Sequence, residues 1–144
     1  MNSEMTSLLA RHVDAENAHD MPATLATLHR DCVFHDVALD RKYLGHTGAA
    51  TYYRLWWDAF RLEFRRDEGS LVHWTNEGRC VAEGMFAGVH VGPFLGIEPT
   101  GARINYRFAV VVDFREGLMA GERFYYDLDG IRRQIVRRHD ARKA

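Results

Sequence analysis

A change of residue periodicity near Phe64 is the feature that most constrains the fold of this chain. Before Phe64, apolar residues recur every three or four positions, as they do in amphipathic helices. After Phe64, apolar and polar residues alternate over long runs, as they do in half-buried strands. The first part predicts helices over 3–18, 20–29 and 48–64, with a short strand at 32–37. The second part predicts strands over 70–75, 79–91, 103–115 and 118–127, and then a closing helix over 129–138.

Helices followed by antiparallel strands define an α+β domain. Ser3, Asp20 and Thr47 are the expected N-caps of the three helices. The length of 144 residues fits one domain, so we expect a single domain over 1–144. The helices must cover one face of a curved sheet, and this arrangement encloses a cavity suited to a small ligand.

The segment VHVGPFLGIEPTGARI, residues 89–104, interrupts the strand pattern with glycine and proline. It follows a strand that ends near His90. We expect this segment to form a pliable lip that borders the pocket.

Alternation along the last two strands assigns their faces. In 104–114 the even positions are apolar and are expected to face the core. In 118–127 the more apolar even set contains Glu122. A carboxyl group on an apolar face is costly unless it is paired, neutral or functional, and burial would raise its pKa into the range useful for proton transfer. The alternative is an ion pair with Arg107 or Arg123.

Two histidines are further candidates for proton transfer. In 79–91 the charges of Arg79 and Glu83 favour an outward odd face, which turns His90 inward. His35 and its neighbour Asp36 must point to opposite faces of their strand. If His35 faces the cavity, it meets Glu122 or His90. The alternative for each histidine is a hydrogen-bonded structural role.

Aromatic residues are numerous in the predicted core elements. Trp56 and Trp57 cannot share one direction, so we expect Trp56 in the core and Trp57 at the pocket or at a subunit contact. Tyrosine hydroxyls here would donate to a ligand oxygen or be satisfied by packing partners. The residues predicted to bind substrate are Trp57, Phe86, Tyr106, Phe108, Phe124 and Tyr126.

Composition excludes several classes of partner. The formal net charge of −1 gives no reason to expect a nucleic acid, and the basic residues near the C-terminus (Arg132, Arg133, Arg137, Arg138, Arg142, Lys143) are expected to be a solvated helix end. We expect no signal peptide and no membrane span. Cys32 and Cys80 lack metal-ligand spacing and are expected to be reduced, which favours a cytoplasmic protein. No pattern predicts a metal or an organic cofactor.

Three stretches resemble one known family. They are GHTGAATYYRLWWDAF, GVHVGPFLGIEPTG and ERFYYDLDGIRRQI. With the order of elements, they resemble the SnoaL-like polyketide cyclases (ester-cyclase branch) of the nuclear-transport-factor-2-like superfamily over nearly the whole chain. This resemblance implies a cone of three helices wrapped by a strongly bent antiparallel sheet, and a homodimer formed through that sheet. It implies ring closure of an aromatic polyketide by an aldol step without cofactor, with an aspartate of the final strand as acid/base.

The chain departs from that pattern at one position. When it is aligned without gaps on DLDGIRRQ, Phe124 stands where the family has its aspartate. Glu122 is two residues earlier on the same face and is predicted to replace it. The expected function is a cofactor-independent cyclase, isomerase or dehydratase acting on a cyclic, carbonyl-bearing, polyketide-like molecule. The alternatives are a non-catalytic protein that binds an apolar ligand, and an interaction module that uses the exposed sheet.

Overall fold

The computed structural model describes residues 3–143, with side chains described as far as Arg137. Within residues 3–143, four helices and seven strands follow one another. In chain order they are α1 (Ser3–Asn17), α2 (Met21–Leu25), β1 (Leu28–Asp36), β2 (Arg41–Leu44), α3 (Gly45–Phe60), β3 (Glu63–Arg65), β4 (Leu71–Trp74), β5 (Cys80–Val89), β6 (Arg103–Arg115), β7 (Leu118–Tyr126) and α4 (Leu128–Lys143).

The seven strands form one curled, unclosed sheet, and the expected α+β fold with a cone-shaped, bent sheet is confirmed. The strand order is β2-β1-β7-β6-β5-β3, with β4 also paired to β5. All pairings are antiparallel except that of β1 with β7, which is parallel. This parallel pairing places Phe34 beside Glu122 and Asp36 beside Phe124 in register.

The core lies between the helices and the concave face of the sheet. The even positions of β6 supply Ile104, Phe108, Val110 and Val112, all buried as the alternation predicts. The odd positions of β6 are half-buried or exposed. The apolar stripe of α3 belongs to the same core as the even positions of β6, and it includes Tyr52, Tyr53, Trp56, Ala59 and Phe60.

Helix α3 ends earlier than its sequence predicts. Arg61 adopts the left-handed conformation with φ 49°, and its N–H donates to the Trp57 carbonyl at 2.8 Å. Phe64 then pairs with Phe86 in the sheet, where its ring lies 6.1 Å from that of Phe86 and 5.9 Å from that of Phe108. The start also differs, since Gly45 opens the helix and Thr47 does not cap it.

Helix α2 is short, although its predicted cap is correct. The Asp20 carboxylate accepts from the Ala23 N–H at 3.0 Å. The helix stops at Leu25 and β1 begins at Leu28, four residues before the expected strand. This early start depends on a tertiary contact, because the Met119 N–H of β7 donates to the Thr27 carbonyl just before β1.

The segment after β5 is not a pliable lip, so that expectation is wrong. The N–H groups of Val91 and Gly92 both donate to the Ala59 carbonyl at the end of α3, at 2.8 and 3.1 Å. A Cβ at Gly92 would lie 2.3 Å from the Asp58 carbonyl oxygen, so only glycine permits this approach. Phe94 is fully buried. None of residues 90–102, all of which the structure describes, lines the cavities described below.

A β-bulge changes the inward face of β7. The register with β6 shifts between Asp113 and Phe114, so Gly121 pairs with Asp113 while Met119 pairs with Phe114. Met119 therefore points inward and is only 1% exposed, against the simple alternation. Beyond the bulge, Glu122 keeps its predicted inward direction.

Helix α4 closes the chain and extends beyond the predicted 129–138. Ile131 and Ile135 are buried against the rest of the fold. The side chains of Arg138, Arg142 and Lys143 lie outside the described part of the structure. Among the described residues, no helix has the length and hydropathy needed to cross a bilayer.

Candidate acid/base site

A cavity of about 460 Å³ lies between α1 and the concave face of the sheet. Its walls are mainly apolar, with Leu9 and Val13 from α1 facing Phe108, Val110 and Val112 from β6. This volume is within the range of small-molecule sites. Three ionisable side chains in its lining, His12, Glu16 and Glu122, lie close together. We refer to these three residues as the acid cluster.

Glu122 brings a carboxyl group from β7 to the cavity wall. Its side chain is 5% exposed, and burial raises its pKa well above the ordinary value. The arginine partners considered from the sequence are engaged elsewhere. Arg107 bonds to Asp67, and Arg123 lies 3.8 Å from Asp113. The nearest ionisable partner of Glu122 is His12, whose Nε2 lies 3.5 Å from Oε1.

His12 stands between the two carboxyl groups of the cluster. The Thr27 hydroxyl donates to the Thr24 carbonyl at 2.6 Å, so His12 Nδ1–H must donate to the Thr27 oxygen, 2.7 Å away. His12 Nε2 is then an acceptor, and the Tyr53 hydroxyl donates to it at 3.1 Å. Burial lowers the pKa of His12 to about 4, so the imidazole is neutral near pH 7.

Glu16 completes the cluster one helical turn after His12. Its Oε2 lies 3.5 Å from His12 Nε2, and its side chain is 15% exposed. Burial raises the pKa of Glu16 to about 8. Ionised Glu16 would also raise the pKa of Glu122 by repulsion, after burial itself. Burial therefore favours the protonated form of both carboxyl groups, and more strongly that of Glu122, whose side chain is 5% exposed against 15% for Glu16.

A second, smaller cavity of about 20 Å³ adjoins the first, and we call it the inner chamber. Glu16, Phe86 and Phe124 line both spaces, so they form the partition between them. The other residues lining the inner chamber are Tyr52, Tyr53, Trp56, Trp57, Leu62, Tyr106 and Tyr126.

Asp36 lies behind the inner chamber and is fully buried. Its carboxylate accepts from the Tyr52 hydroxyl at 3.0 Å, from the Tyr126 hydroxyl at 2.8 and 3.0 Å, and from the Leu39 N–H at 2.9 Å. Burial, then the Asp36 charge, raise the pKa of both tyrosines. These bonds fix the two rings that face the chamber.

The six residues predicted to bind substrate all line one of these spaces. Phe108 lines the large cavity, Trp57, Tyr106 and Tyr126 line the inner chamber, and Phe86 and Phe124 line both. Of the predicted catalytic residues, Glu122 lines one of these two cavities, and His35 and His90 line neither. Their roles in binding or catalysis stay predictions.

The two other candidate histidines are not brought to Glu122. His35 is partly exposed, because its strand neighbours Phe34 and Asp36 take the inward positions. His90 is buried and its Nδ1 accepts from the Thr100 N–H at 3.2 Å. His90 Nε2 has no hydrogen-bond partner, and its ring lies 5.2 Å from that of Phe60.

Sequence reasoning did not assign His12 and Glu16 to the site, although a signal was present. Both fall on the apolar stripe of α1, four residues apart. Two ionisable groups on the buried face of a helix are costly unless they meet a partner. The partner, Glu122, is more than a hundred residues away, so the sequence does not show the cluster.

Among the described residues, no group of three or more His, Cys, Asp and Glu side chains is placed to hold a metal ion.

A bent sheet covered by helices, with an apolar cavity of small-molecule size and buried ionisable groups, defines a protein of the cone-shaped α+β class. The sequence matches the SnoaL-like polyketide cyclase family over residues 6–135, and the chain belongs to that family. No protein of curated function matches it.

Solved structures with the same fold support this assignment. A proposed polyketide cyclase from Xanthomonas campestris pv. campestris is 25% identical, with a TM-score of 0.81 over 92% of this chain and 96% of the other. AclR, a proposed hydroxylase from Streptomyces galilaeus, is 18% identical, with a TM-score of 0.75 over 96% and 97%. A protein with a ketosteroid isomerase-like fold from Catenulispora acidiphila, in complex with trimethylamine, is 12% identical, with a TM-score of 0.73 over 90% and 92%. At these identities the last two show the fold alone.

Proposed function

We propose that this protein is a cofactor-independent acid/base enzyme of the cyclase, isomerase or dehydratase type. Its substrate would be a cyclic, carbonyl-bearing, polyketide-like molecule bound in the large cavity. The observation that supports this most is the Glu122 carboxyl group, buried in an apolar cavity 3.5 Å from His12 and without an arginine partner. The family to which the chain belongs supports the substrate class.

The acid cluster supplies both halves of an enolisation. Burial raises the pKa of Glu122 and favours its protonated form, so it donates its proton to the substrate carbonyl oxygen as charge develops there. Glu16, with a pKa of about 8, is the group that loses its proton first and removes the proton from the adjacent carbon. The product is a neutral enol, and no proton is gained or lost overall.

The fate of the enol determines the reaction type. In a cyclase, the enol carbon attacks a second carbonyl of the same molecule. In an isomerase, the carbon skeleton is reprotonated elsewhere, and in a dehydratase a β-hydroxyl group leaves as water. His12 links the two carboxyl groups and allows the proton to return from Glu16 to Glu122, because its Nε2 lies 3.5 Å from each.

The first experiment measures proton exchange at carbon, so it does not require the natural substrate. The probe is 2-tetralone in D2O, with loss of the α-proton signal followed by NMR. We expect Glu122→Gln to slow the enzyme-catalysed exchange by ~100-fold or more. Asp14→Asn, on the exposed face of the same helix as Glu16, is the matched control and should leave the rate unchanged. Equal rates for the wild type and Glu122→Gln would eliminate the proposed role of Glu122.

A non-catalytic binding protein is the second candidate. Phe124 favours it, since this residue stands where the family's aspartate is expected and lines both cavities. This alternative predicts saturable binding of 2-tetralone with an exchange rate no higher than in buffer alone.

The outer face of the sheet supports a homodimer. Val33 on β1 and Tyr125 on β7 are 39% and 45% exposed on neighbouring strands. We expect a dimer mass in light scattering after size exclusion, and a shift to monomer for Tyr125→Glu.

Cys32 and Cys80 are both free and buried, which favours a reducing, cytoplasmic location.

A further inference from the structure

The inner chamber combines a very small volume with polar groups in an aromatic wall. Its volume is about 20 Å³, and one water molecule needs ~10–15 Å³ on the same measure, so the chamber has room for one oxygen-sized group. Glu16, Phe86 and Phe124 line both this chamber and the large cavity. A hydroxyl group on a ligand in the large cavity therefore meets the chamber at this partition, whereas a whole ring does not fit inside.

Two hydrogen-bond donors in the chamber lining have no acceptor among the residues that the structure describes. Trp56 is 5% exposed, and its buried Nε1–H has no hydrogen-bond partner. The hydrogen bonds from tyrosine hydroxyls in this lining come from Tyr52, Tyr53 and Tyr126, and none comes from Tyr106. Burial raises the pKa of Tyr106, so its hydroxyl keeps the proton that it donates. A buried donor without an acceptor is costly, so this lining favours a ligand atom that accepts hydrogen bonds.

The three other tyrosines of the lining supply acceptors. Tyr52 and Tyr126 donate their protons to Asp36, and Tyr53 donates its proton to His12. Each of these hydroxyl oxygens keeps lone pairs. A carbonyl oxygen uses donors only, whereas a hydroxyl group or a water molecule uses donors and acceptors together. The mixed lining therefore matches a hydroxyl group or a water molecule best.

Glu16 connects the chamber with the reaction proposed for the large cavity. Its side chain lines both spaces. Burial, and then the charge of Glu16, raise the pKa of Tyr106, so the carboxyl group and the hydroxyl group act on each other. A proton that Glu16 removes from carbon in the large cavity can therefore be delivered to an oxygen in the chamber.

We propose that the inner chamber binds the β-hydroxyl group of a β-hydroxy ketone and receives it as water, with Trp56 Nε1–H and the Tyr106 hydroxyl as donors to the departing oxygen. This inference rests on the acid/base function proposed above, and it selects dehydration among the three reaction types. Trp56 and Tyr106 thereby become residues that determine which substrates react.

The steps balance without a co-reactant. Glu16 takes the proton from the α-carbon while Glu122 gives its proton to the carbonyl oxygen, which forms the enol. The C–O bond at the β-carbon then breaks, and its electron pair goes to the departing oxygen, which takes the proton from Glu16. The enol returns its proton to Glu122 as the carbonyl group re-forms, and the new double bond joins the α- and β-carbons. The products are a conjugated enone and one water molecule.

The test compares two probes, of which only one carries a β-hydroxyl group. The first is 4-hydroxy-4-phenylbutan-2-one, whose dehydration to the conjugated enone is followed by ultraviolet absorbance. The second is 2-tetralone, whose α-proton exchange in D2O is followed by NMR. We expect the full chain to accelerate both reactions at least ~10-fold over buffer. Exchange without dehydration would overturn this inference and leave the proposed function intact, while the absence of both activities would overturn the two together.

Variants of the two donors test their assignment. Tyr106→Phe keeps the ring and removes one donor, so it should lower the dehydration rate at least ~10-fold more than the exchange rate. Trp56→Phe removes the other donor and should shift the ratio of the two rates in the same direction. Tyr43→Phe is the matched control, because it removes a tyrosine hydroxyl outside both cavities, and it should leave the ratio unchanged.

Folding and chemistry can be separated in these variants. The Tyr106 hydroxyl has no hydrogen-bond partner among residues 3–137, so Tyr106→Phe should be as stable as the wild type in urea unfolding. Glu122→Gln should lower both rates, because it acts on the carbonyl group that the two probes share. Equal effects of Tyr106→Phe on dehydration and exchange, in a folded protein, would overturn the assignment of the chamber.

Discussion

Two buried carboxyl groups on neighbouring strands have opposite surroundings. Asp36 on β1 is fully buried and receives hydrogen bonds from two tyrosine hydroxyls and one backbone N–H. Glu122 on β7 is 5% exposed, and its nearest ionisable partner is a neutral imidazole at 3.5 Å. Burial is similar in the two cases, so the number of donors makes the difference. A carboxyl group with matched donors fixes structure, while one without them keeps a proton that it can exchange.

Replacing each carboxyl group by its amide gives the largest expected difference in stability. Asp36→Asn turns an N–H2 group toward donors and leaves buried tyrosine protons unmatched, so we expect a loss of about 2–4 kcal/mol in the free energy of unfolding. Glu122→Gln leaves no hydrogen-bond donor of the protein without its acceptor, so it should change this free energy by less than about 1 kcal/mol. Urea denaturation of both variants checks the comparison, and equal losses would contradict it.

The pH dependence of stability should report Glu16. Its pKa is about 8 in the folded protein against an ordinary value of 4.5, so the folded state keeps a proton that the unfolded chain releases. Stability is therefore lost as pH rises through this interval. His12, with a pKa lowered from 6.5 to about 4, acts in the opposite sense but only below pH 6.5.

The interval from pH 6.5 to 8 thus isolates the carboxyl groups of the cluster. We expect the wild type to lose about 1–2 kcal/mol more than Glu16→Gln across this interval, measured by urea unfolding at the two pH values. Parallel curves for the two proteins would show that Glu16 is not protonated in the folded state.

The smallest expected difference in stability is between variants of two tyrosines, Tyr126, which donates to Asp36, and Tyr53, which donates to His12 of the acid cluster. Tyr126→Phe removes a hydrogen bond to a carboxylate, which should cost about 1.5–3 kcal/mol, while Tyr53→Phe removes one to a neutral imidazole and should cost about 1 kcal/mol. Thermal and urea unfolding of both variants would check this order. A larger loss of stability for Tyr53→Phe would contradict the view that Asp36 fixes the structure and that the acid cluster contributes less to it.

Much of the fold could be predicted from local patterns. The alternation in β5 and β6 assigned the inward faces correctly, because side chains alternate in any extended strand. The same rule placed Glu122 on the inner face. The alternation rule failed at Met119, because the bulge there arises from the pairing of β7 with β6 and cannot be recognised from the sequence of β7 alone.

The site could be predicted only in part. Glu122 was found because a carboxyl group on an apolar strand face is costly by itself. His35 and His90 were selected by residue type and possible direction, and the structure directs one toward the outer face and the other to the packed segment after β5. His12 and Glu16 take their place near Glu122, through a contact between the first helix and the last strand.

The sequence by itself determined the class of fold, the inward faces of β5 and β6 and the presence of a buried acid on β7. These follow from periodicity and from the cost of burying charge, which are local properties of the chain. Only the tertiary structure decided which groups meet that acid, that Asp36 is satisfied by tyrosines, and that an aromatic chamber lies beside the main cavity. Those outcomes depend on contacts between residues far apart in the chain, and no local pattern encodes the distance between them.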